Sequence, residues 1–272
     1  MSDFDDLSSK AALTAGKKAA KRAMDDLLSL PPLFSPVPLP ADGVPLAAAR
    51  AAAEKEDAMG RLFYAQRPDR LEAAVVLAPE RRQAAALPVL YPLHLGLCDA
   101  LGALLPPQYA VQFAWPDRIC LNGALCGAVA FDLPAVDTKA ELPWMTVAVT
   151  LALVGQPEGR EPGQMRERTT FYDEGAGEIA PGEIIEAFAR HFLSWLTRWE
   201  DRGLEALWPA WQGRALGYDQ DAEFPGPKGA VVGRLAGLTR TGNLRVDTAG
   251  GRVSLPLRQI LERRGWAEAG GA

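Results

Sequence analysis

Histidine and cysteine are scarce in this chain of 272 residues, with two and three copies respectively. Two histidines, His94 and His191, offer poor support for histidine-based catalysis. An odd and small number of cysteines leaves no disulfide framework. With no recognisable signal peptide, it makes a reducing compartment, the cytoplasm, the expected location. No stretch reaches eighteen uninterrupted apolar residues, so no membrane span is expected. Positive charge is also short: the net charge of −5 gives no general affinity for nucleic acid. The chain lacks a Gly-x-Ser-x-Gly elbow, a Gly-x-x-x-x-Gly-Lys phosphate loop and a dinucleotide fingerprint after a strand. No lysine occurs between Met59 and Val136, an absence that becomes important below.

What is present is ordinary for a globular protein, with 48% apolar and 23% charged residues. The length suffices for one substantial core and a small second one. Residues 1–30 read as a separate arm, helical or disordered, in which lysines alternate with alanines and leucines. Pro31-Pro32, Pro36, Pro38 and Pro40 then predict an extended connector. Val44 to Met59 favours helix. Arg61–Ala65 and Ala73–Leu77 read as strands, and Glu80 to Leu105 as one long apolar helix disturbed by Pro88 and Pro92. Strands follow at Tyr109–Phe113, Cys126–Asp132 and Trp144–Val154, with a polar loop at Gln156–Arg168. Pro181–Gly203 is an amphipathic helix whose aromatic stripe reads as core. Past Tyr218 the texture becomes short strands punctuated by Thr241-Gly242-Asn243 and Gly250-Gly251, that of a small β-barrel closed by a helix at Leu257–Arg264. The order of elements is α+β.

The chain is organised around Trp115-Pro116-Asp117-Arg118-Ile119-Cys120-Leu121-Asn122-Gly123 and the strand that follows. Pro116 belongs at a bend or strand start. Asn122-Gly123 is a strong two-residue hairpin signal, because both residues tolerate positive φ. Trp-Pro-Asp, then Asn-Gly, then Gly127 resembles the Lys-Trp-Pro-Asn-Asp…Asn-Gly-Lys-Lys…Gly hairpin of biotin protein ligases. Leu97-Cys98-Asp99-Ala100-Leu101 in the preceding helix and the glycine-punctuated Val232–Leu244 segment are similar to that family too. Lipoate ligases and octanoyl transferases share its catalytic fold. The resemblance implies a ligase-like core of mixed sheet and packed helices over residues 31–222, then an SH3-like barrel over 223–272.

It also implies chemistry. Such a ligase joins a carboxylic acid, biotin or lipoate, to ATP with Mg²⁺, and passes the acyl group to a lysine of a biotinyl or lipoyl carrier domain. Two anions must meet, so the site needs fixed cations aimed at the phosphate. In the family a glycine- and arginine-rich loop and a hairpin lysine supply them. Here Gln66-Arg67-Pro68-Asp69-Arg70-Leu71 stands at the loop's place without a glycine, and Ala114 and Ala124-Leu125 stand where the lysines belong. The strand at Val147–Leu151 lacks the family's glycines. Losing one preorganised donor costs ~3 kcal/mol of transition-state stabilisation, so standard adenylation should be very slow.

The resemblance assigns Arg118, Arg67 and Arg70 as the remaining anion-stabilising cations. Gln66, Trp115, Asp117, Asn122, Gly123 and Gly127 would shape the substrate pocket. A binding or regulatory module without catalysis is the alternative reading. A lysine reaching the cavity from elsewhere in the chain would restore the activity that the missing lysines discount. His94, Cys98, Cys120 and Cys126 form a rival metal-type set, but without a Cys-x-x-Cys pair it gives zinc little support, and no metal is assigned to it.

Overall fold

The computed structural model describes residues 28–55, 57–137, 139–155, 167–176 and 179–263. The expected N-terminal arm, apart from residues 28–30, and most of the Gln156–Arg168 loop lie outside them. Seven strands make one mixed sheet: β1 (Ser35–Leu39), β2 (Arg61–Ala65), β3 (Arg70–Leu77), β4 (Val111–Ala114), β5 (Arg118–Leu121), β6 (Ala124–Asp132) and β7 (Met145–Ala152). They run in the order β1-β2-β3-β7-β6-β5-β4. β1 is parallel to β2, and all other neighbours are antiparallel. The proline-rich connector is thus a strand. Pro36 and Pro38 lack the N–H that a central strand needs, and they are tolerated because β1 is an edge with one neighbour.

Alternation along the strands separates two faces. One carries Leu71, Val75, Val129, Val147, Val149 and Leu151 into the main core, under the helices α3 (Leu90–Leu104) and α4 (Pro181–Arg202). The other carries Phe63, Ala74, Val76, Ala130 and Ala148 against the shorter helix α1 (Pro45–Ala53). Helix α1 ends six residues before the expected Met59, and Gly60 (φ +74°) instead makes the turn into β2. The long helix expected from Glu80 is broken. A short α2 (Gln83–Ala86) and a 3₁₀ turn at Leu87–Val89 precede α3, because Pro88 cannot sit inside a continuous helix. By composition Gln83–Leu104 is long and apolar enough to cross a membrane, yet 83% of its apolar window is buried inside the protein.

α3 and α4 approach most closely at Gly96. A Cβ placed there would lie 2.6 Å from Phe192 Cα and 2.7 Å from Phe192 N. Nearby, Asp99 accepts hydrogen bonds from Trp195 Nε1 at 2.7 Å and Arg214 Nη2 at 2.6 Å. This joins both helices to the segment after α5 (Trp208–Gln212). Fully buried His94 stacks on Phe113 at 4.3 Å, and its Nδ1 accepts from Trp211 Nε1 at 3.2 Å.

The C-terminal strands β8 (Ala222–Gly226), β9 (Gly229–Leu238), β10 (Leu244–Thr248) and β11 (Gly251–Leu255) form an open antiparallel sheet in the order β11-β10-β9-β8. A closed barrel would need β8 and β11 to pair, and they are the two edges of this sheet. β8 has no counterpart in the sequence reading, since Pro225-Gly226-Pro227 looks like a boundary and not a strand end. Helix α6 (Leu257–Arg263) docks Leu257, Ile260 and Leu261 onto the core.

Candidate functional site

Asn122 and Gly123 turn at φ +52° and +87°, the left-handed pair that a tight hairpin requires. Asn122 does more than turn. Its Oδ1 accepts from Ala110 N at 3.0 Å, and its Nδ2 donates to Glu174 at 2.7 Å. Gly127 lies on β6 under its neighbour strand, where a Cβ would meet Thr150 O at 2.3 Å and Leu151 Cδ2 at 2.6 Å. The space over Gly127 therefore belongs to the protein's own packing.

At the other end of β5, Arg118 pairs with Ala128, Ala128 with Thr150, and Thr150 with Glu72. Paired residues share a face, so Arg118, Glu72 and Arg70 all project from the α1 side of the sheet. Arg70 and Arg118 are on strands three spacings apart, about 14 Å. The two ends of the expected cation set are on one face but not in one contact shell. Each arginine also has a carboxylate beside it. Arg67 bonds Asp69 through Nε and Nη2 at 3.2 and 3.1 Å, and Arg70 reaches Asp69 at 3.3 Å and Glu72 at 3.4 Å. Burial pushes the Asp69 carboxyl up, but the Arg67 and Arg70 hydrogen bonds outweigh this and hold it below the usual carboxylate range. Gln66 spends its backbone N–H on Leu39 O at 3.1 Å. Arg118 Nε stands 3.8 Å from the buried carboxylate of Asp117, with 36% of the Arg118 side chain exposed.

The Trp115–Pro116 peptide is cis. Trp115 is buried, and its Nε1 donates to Tyr91 Oη at 3.1 Å. Tyr91 Oη in turn donates to Gly242 O, in the β9–β10 turn, at 2.6 Å. One buried phenol thus ties the hairpin to the C-terminal sheet. Tyr91→Phe leaves an indole N–H and a carbonyl without partners, and is expected to cost about 2 kcal/mol in urea unfolding. A loss below about 0.5 kcal/mol would show that the relay holds nothing.

Beside Trp115 lies a cleft of about 590 Å³, lined by Ala114, Trp115 and Arg118 on one side and by the β8–β9 hairpin and Arg263 on the other. Lys228, at the tip of that hairpin, lines it, as does Glu223. A lysine from elsewhere in the chain therefore reaches the cavity beside Trp115. Sequence reasoning missed Lys228, Glu223 and Arg263. Lys228 is a lone lysine in a Pro-Lys-Gly turn, and nothing local says which part of the core the hairpin faces. Gln66, Arg67, Arg70, Asp117, Asn122, Gly123 and Gly127 are not among the cleft's lining.

The cysteines are packing groups. Burial pushes the thiols of Cys98, Cys120 and Cys126 up, and the first and last donate weakly to Val111 O and Ile119 O. Among the described residues no three His, Cys, Asp or Glu side chains are grouped to hold a metal ion. Mg²⁺ ordinarily rests on one or two carboxylates and on substrate phosphates. Glu223 at the cleft fits that mode, and the ion would neutralise phosphate charge when bound.

A seven-stranded mixed sheet with helices on both faces, a Trp-Pro-Asp hairpin and a cleft at its turn define a ligase-type α+β core. The sequence model of the biotin/lipoate A/B protein ligase family matches residues 30–213, and the chain belongs to that family. It is similar to a biotin protein ligase-like protein of unknown function from Silicibacter sp. TM1040. The identity is 29% over 86% of this chain and 98% of that one, with a TM-score of 0.75. Biotin protein ligase from Aquifex aeolicus shares the fold in its apo form, at 15% identity over 84% of this chain and 97% of that one, TM-score 0.66. The same enzyme in complex with biotin and ATP matches at 16% identity over 82% and 95%, TM-score 0.63. No curated protein matches.

Proposed function

We propose that the protein binds ATP and a carboxylic acid of the biotin or lipoate type at the Trp115 cleft, and that it forms an acyl-adenylate slowly for transfer to an acceptor lysine on a carrier domain. The observation that carries this reading is the cleft itself, with Arg118 and Lys228 at a hairpin of the family's kind. Arg118 would steady the phosphate as charge builds on it, with Mg²⁺ carried by the nucleotide. Trp115 would shape the wall, held by its bond to Tyr91, and Asp117 would orient Arg118 from behind it. Arg70, on the same sheet face as Arg118, would meet the far end of an extended ligand, with Gln66 and Arg67 in the loop before it. Asn122, Gly123 and Gly127 would act by holding the hairpin in register.

Lys228 supplies a cation that the hairpin lacks, and the slowness that remains follows from the arginines. Three arginines stand beside three carboxylates, Asp69, Glu72 and Asp117, so the field at an approaching anion is weaker than three free cations would give. That pairing favours a second reading, a ligase-fold binding module without turnover.

Pyrophosphate release from ATP with biotin, lipoate and octanoate separates the two. Turnover with one acid is expected, reduced about tenfold by Arg118→Ala. That is less than the loss of a fully preorganised donor, because the Arg118 side chain is solvated and shared with Asp117. Thermal shifts with acid or ATP but no release would establish the binding module. No release and no shift with any of them would end both readings.

A further inference from the structure

We infer that β11 is a docking edge for a second copy of this chain, and that the copies pair their β11 strands antiparallel about a two-fold axis at Val253. The C-terminal sheets of both copies then become one. The inference stands apart from the ligand reading above and rests on which strand edges the fold protects.

An open strand edge offers unpaired N–H and C=O groups to any other strand, and folded proteins blunt such edges. The other edges here are blunted. In β1, Ser35 N donates to Gly60 O at 2.9 Å and Leu39 O accepts from Gln66 N at 3.1 Å, so Ser35, Val37 and Leu39 face β2. Pro36 and Pro38 then hold the outward positions, and neither has an N–H to give. β4 is covered by the segment after α5, where Phe113 N donates to Arg214 O at 2.9 Å and Leu216 N to Phe113 O at 2.7 Å. In β8 the Pro227-Lys228 turn closes on Gly226 and Gly229, which leaves Pro225 at an outward position.

β11 carries no such guard. The Ala249-Gly250 turn closes on the pair Thr248 and Gly251. By alternation Gly251, Val253 and Leu255 bond to β10, while Arg252 and Ser254 turn their backbone groups outward. Gly251, Arg252, Val253 and Ser254 are all exposed. Among the described residues nothing bonds the outward N–H of Arg252 or Ser254. The inner face shows the same unfinished edge. In the row Leu235, Val246 and Val253, Val246 is fully buried, while Val253, with no strand beyond it, is 37% exposed. The edge is also complementary to itself. Antiparallel pairing centred on Val253 sets Arg252 opposite Ser254 of the other copy, so no like charges face each other and each outward N–H meets a carbonyl. Asp247 holds Arg252 through bonds of 2.7 and 2.9 Å, which draws its charge back over the sheet's outer face. The Val253 side chains of the two copies would meet at the non-hydrogen-bonded position, with Cα atoms about 4.5 Å apart, where side chains lie closest.

A short edge gives a small interface, so the dimer is expected to be weak, with Kd on the order of 100 µM. Sedimentation equilibrium of the full chain, from well below to several times that concentration, measures it. Ser254→Pro removes an outward N–H and leaves the ladder to β10 intact, so it should weaken association about tenfold at an unchanged melting temperature. Ser254→Glu sets a carboxylate opposite Arg252 and should tighten association about fivefold, whereas Ser254→Lys sets like charges opposite and should loosen it by a similar factor. Val253→Cys should form a disulfide between copies in a glutathione buffer, since Cα atoms about 4.5 Å apart can be bridged. The native cysteines are buried and do not compete. Val232→Cys, exposed on β9 away from the edge, should not cross-link. A chain that sediments as a monomer throughout overturns the inference, as does a dimer that Ser254→Pro leaves intact or that Val253→Cys fails to cross-link. Opposite responses to Ser254→Glu and Ser254→Lys support the register, and a common response to both overturns the two-fold at Val253.

Discussion

Gly96→Ala is expected to destabilise the protein by about 3 kcal/mol in urea unfolding, whereas Gly102→Ala, in the same helix, should stabilise it by up to about 1 kcal/mol. Propensity alone gives both substitutions the same favourable sign, since alanine gains about 1 kcal/mol over glycine within a helix. Packing decides otherwise at Gly96. The new methyl would fall 2.6 Å from Phe192 Cα, 2.7 Å from Phe192 N and 3.0 Å from its Cβ. Backbone atoms cannot rotate aside, so α3 and α4 must separate, and their separation opens the core that both helices fill. The upper end of the overpacking range follows, set against a propensity gain too small to compensate. At Gly102 a Cβ meets nothing within 4 Å. Equal effects at the two positions would show that the helices can part freely at Phe192.

Acid is expected to destabilise the fold through His94, in a pH window where few other groups act. Burial without a charged partner pushes this imidazole down to about 3. Its Nδ1 accepts from Trp211, so the proton sits on Nε2, which has no hydrogen-bond partner. The unfolded chain takes up a proton at His94 near pH 6.5 while the folded one does not until near pH 3. Stability attributable to this site is therefore fully present above about pH 6.5 and falls as pH drops through the interval down to about 3. Linkage gives a loss of about 2 kcal/mol between pH 7 and pH 5, and of about 4 kcal/mol by pH 3.5. Asp69 and Asp247 have lowered pKa values and act in a more acid window, below their ordinary value of 3.8. Chemical denaturation in steps from pH 7.5 to 4.5 isolates the histidine. His94→Phe should be less stable at pH 7, having lost the Trp211 hydrogen bond, but its profile should be flatter across pH 6.5 to 4.5. A variant that keeps the wild-type slope would assign the acid sensitivity elsewhere.

Much of the core was legible in the sequence because its signals are local. The Asn122-Gly123 turn needs only two residues that accept positive φ, and the aromatic stripe of Pro181–Arg202 needs only helical spacing. β1 was illegible for the opposite reason. Its prolines argue against a strand, and only the edge position, a property of the whole sheet, permits one. The family resemblance placed Gly127 at the substrate pocket. A missing side chain is equally the mark of a neighbour's approach, and Leu151 occupies the space. The pairing of Arg67 and Arg70 could have been read, since Asp69 and Glu72 are interleaved with them. Lys228 could not, because its place beside Trp115 depends on how the C-terminal sheet docks.

That docking turns on the hydroxyl of Tyr91, wedged between indole and carbonyl with no solvent to replace it. The buried bond holds the β9–β10 turn, and so anchors the sheet whose β8–β9 hairpin walls the cleft. On the proposed reading, selectivity between acids would fall to the side chains that line the cleft.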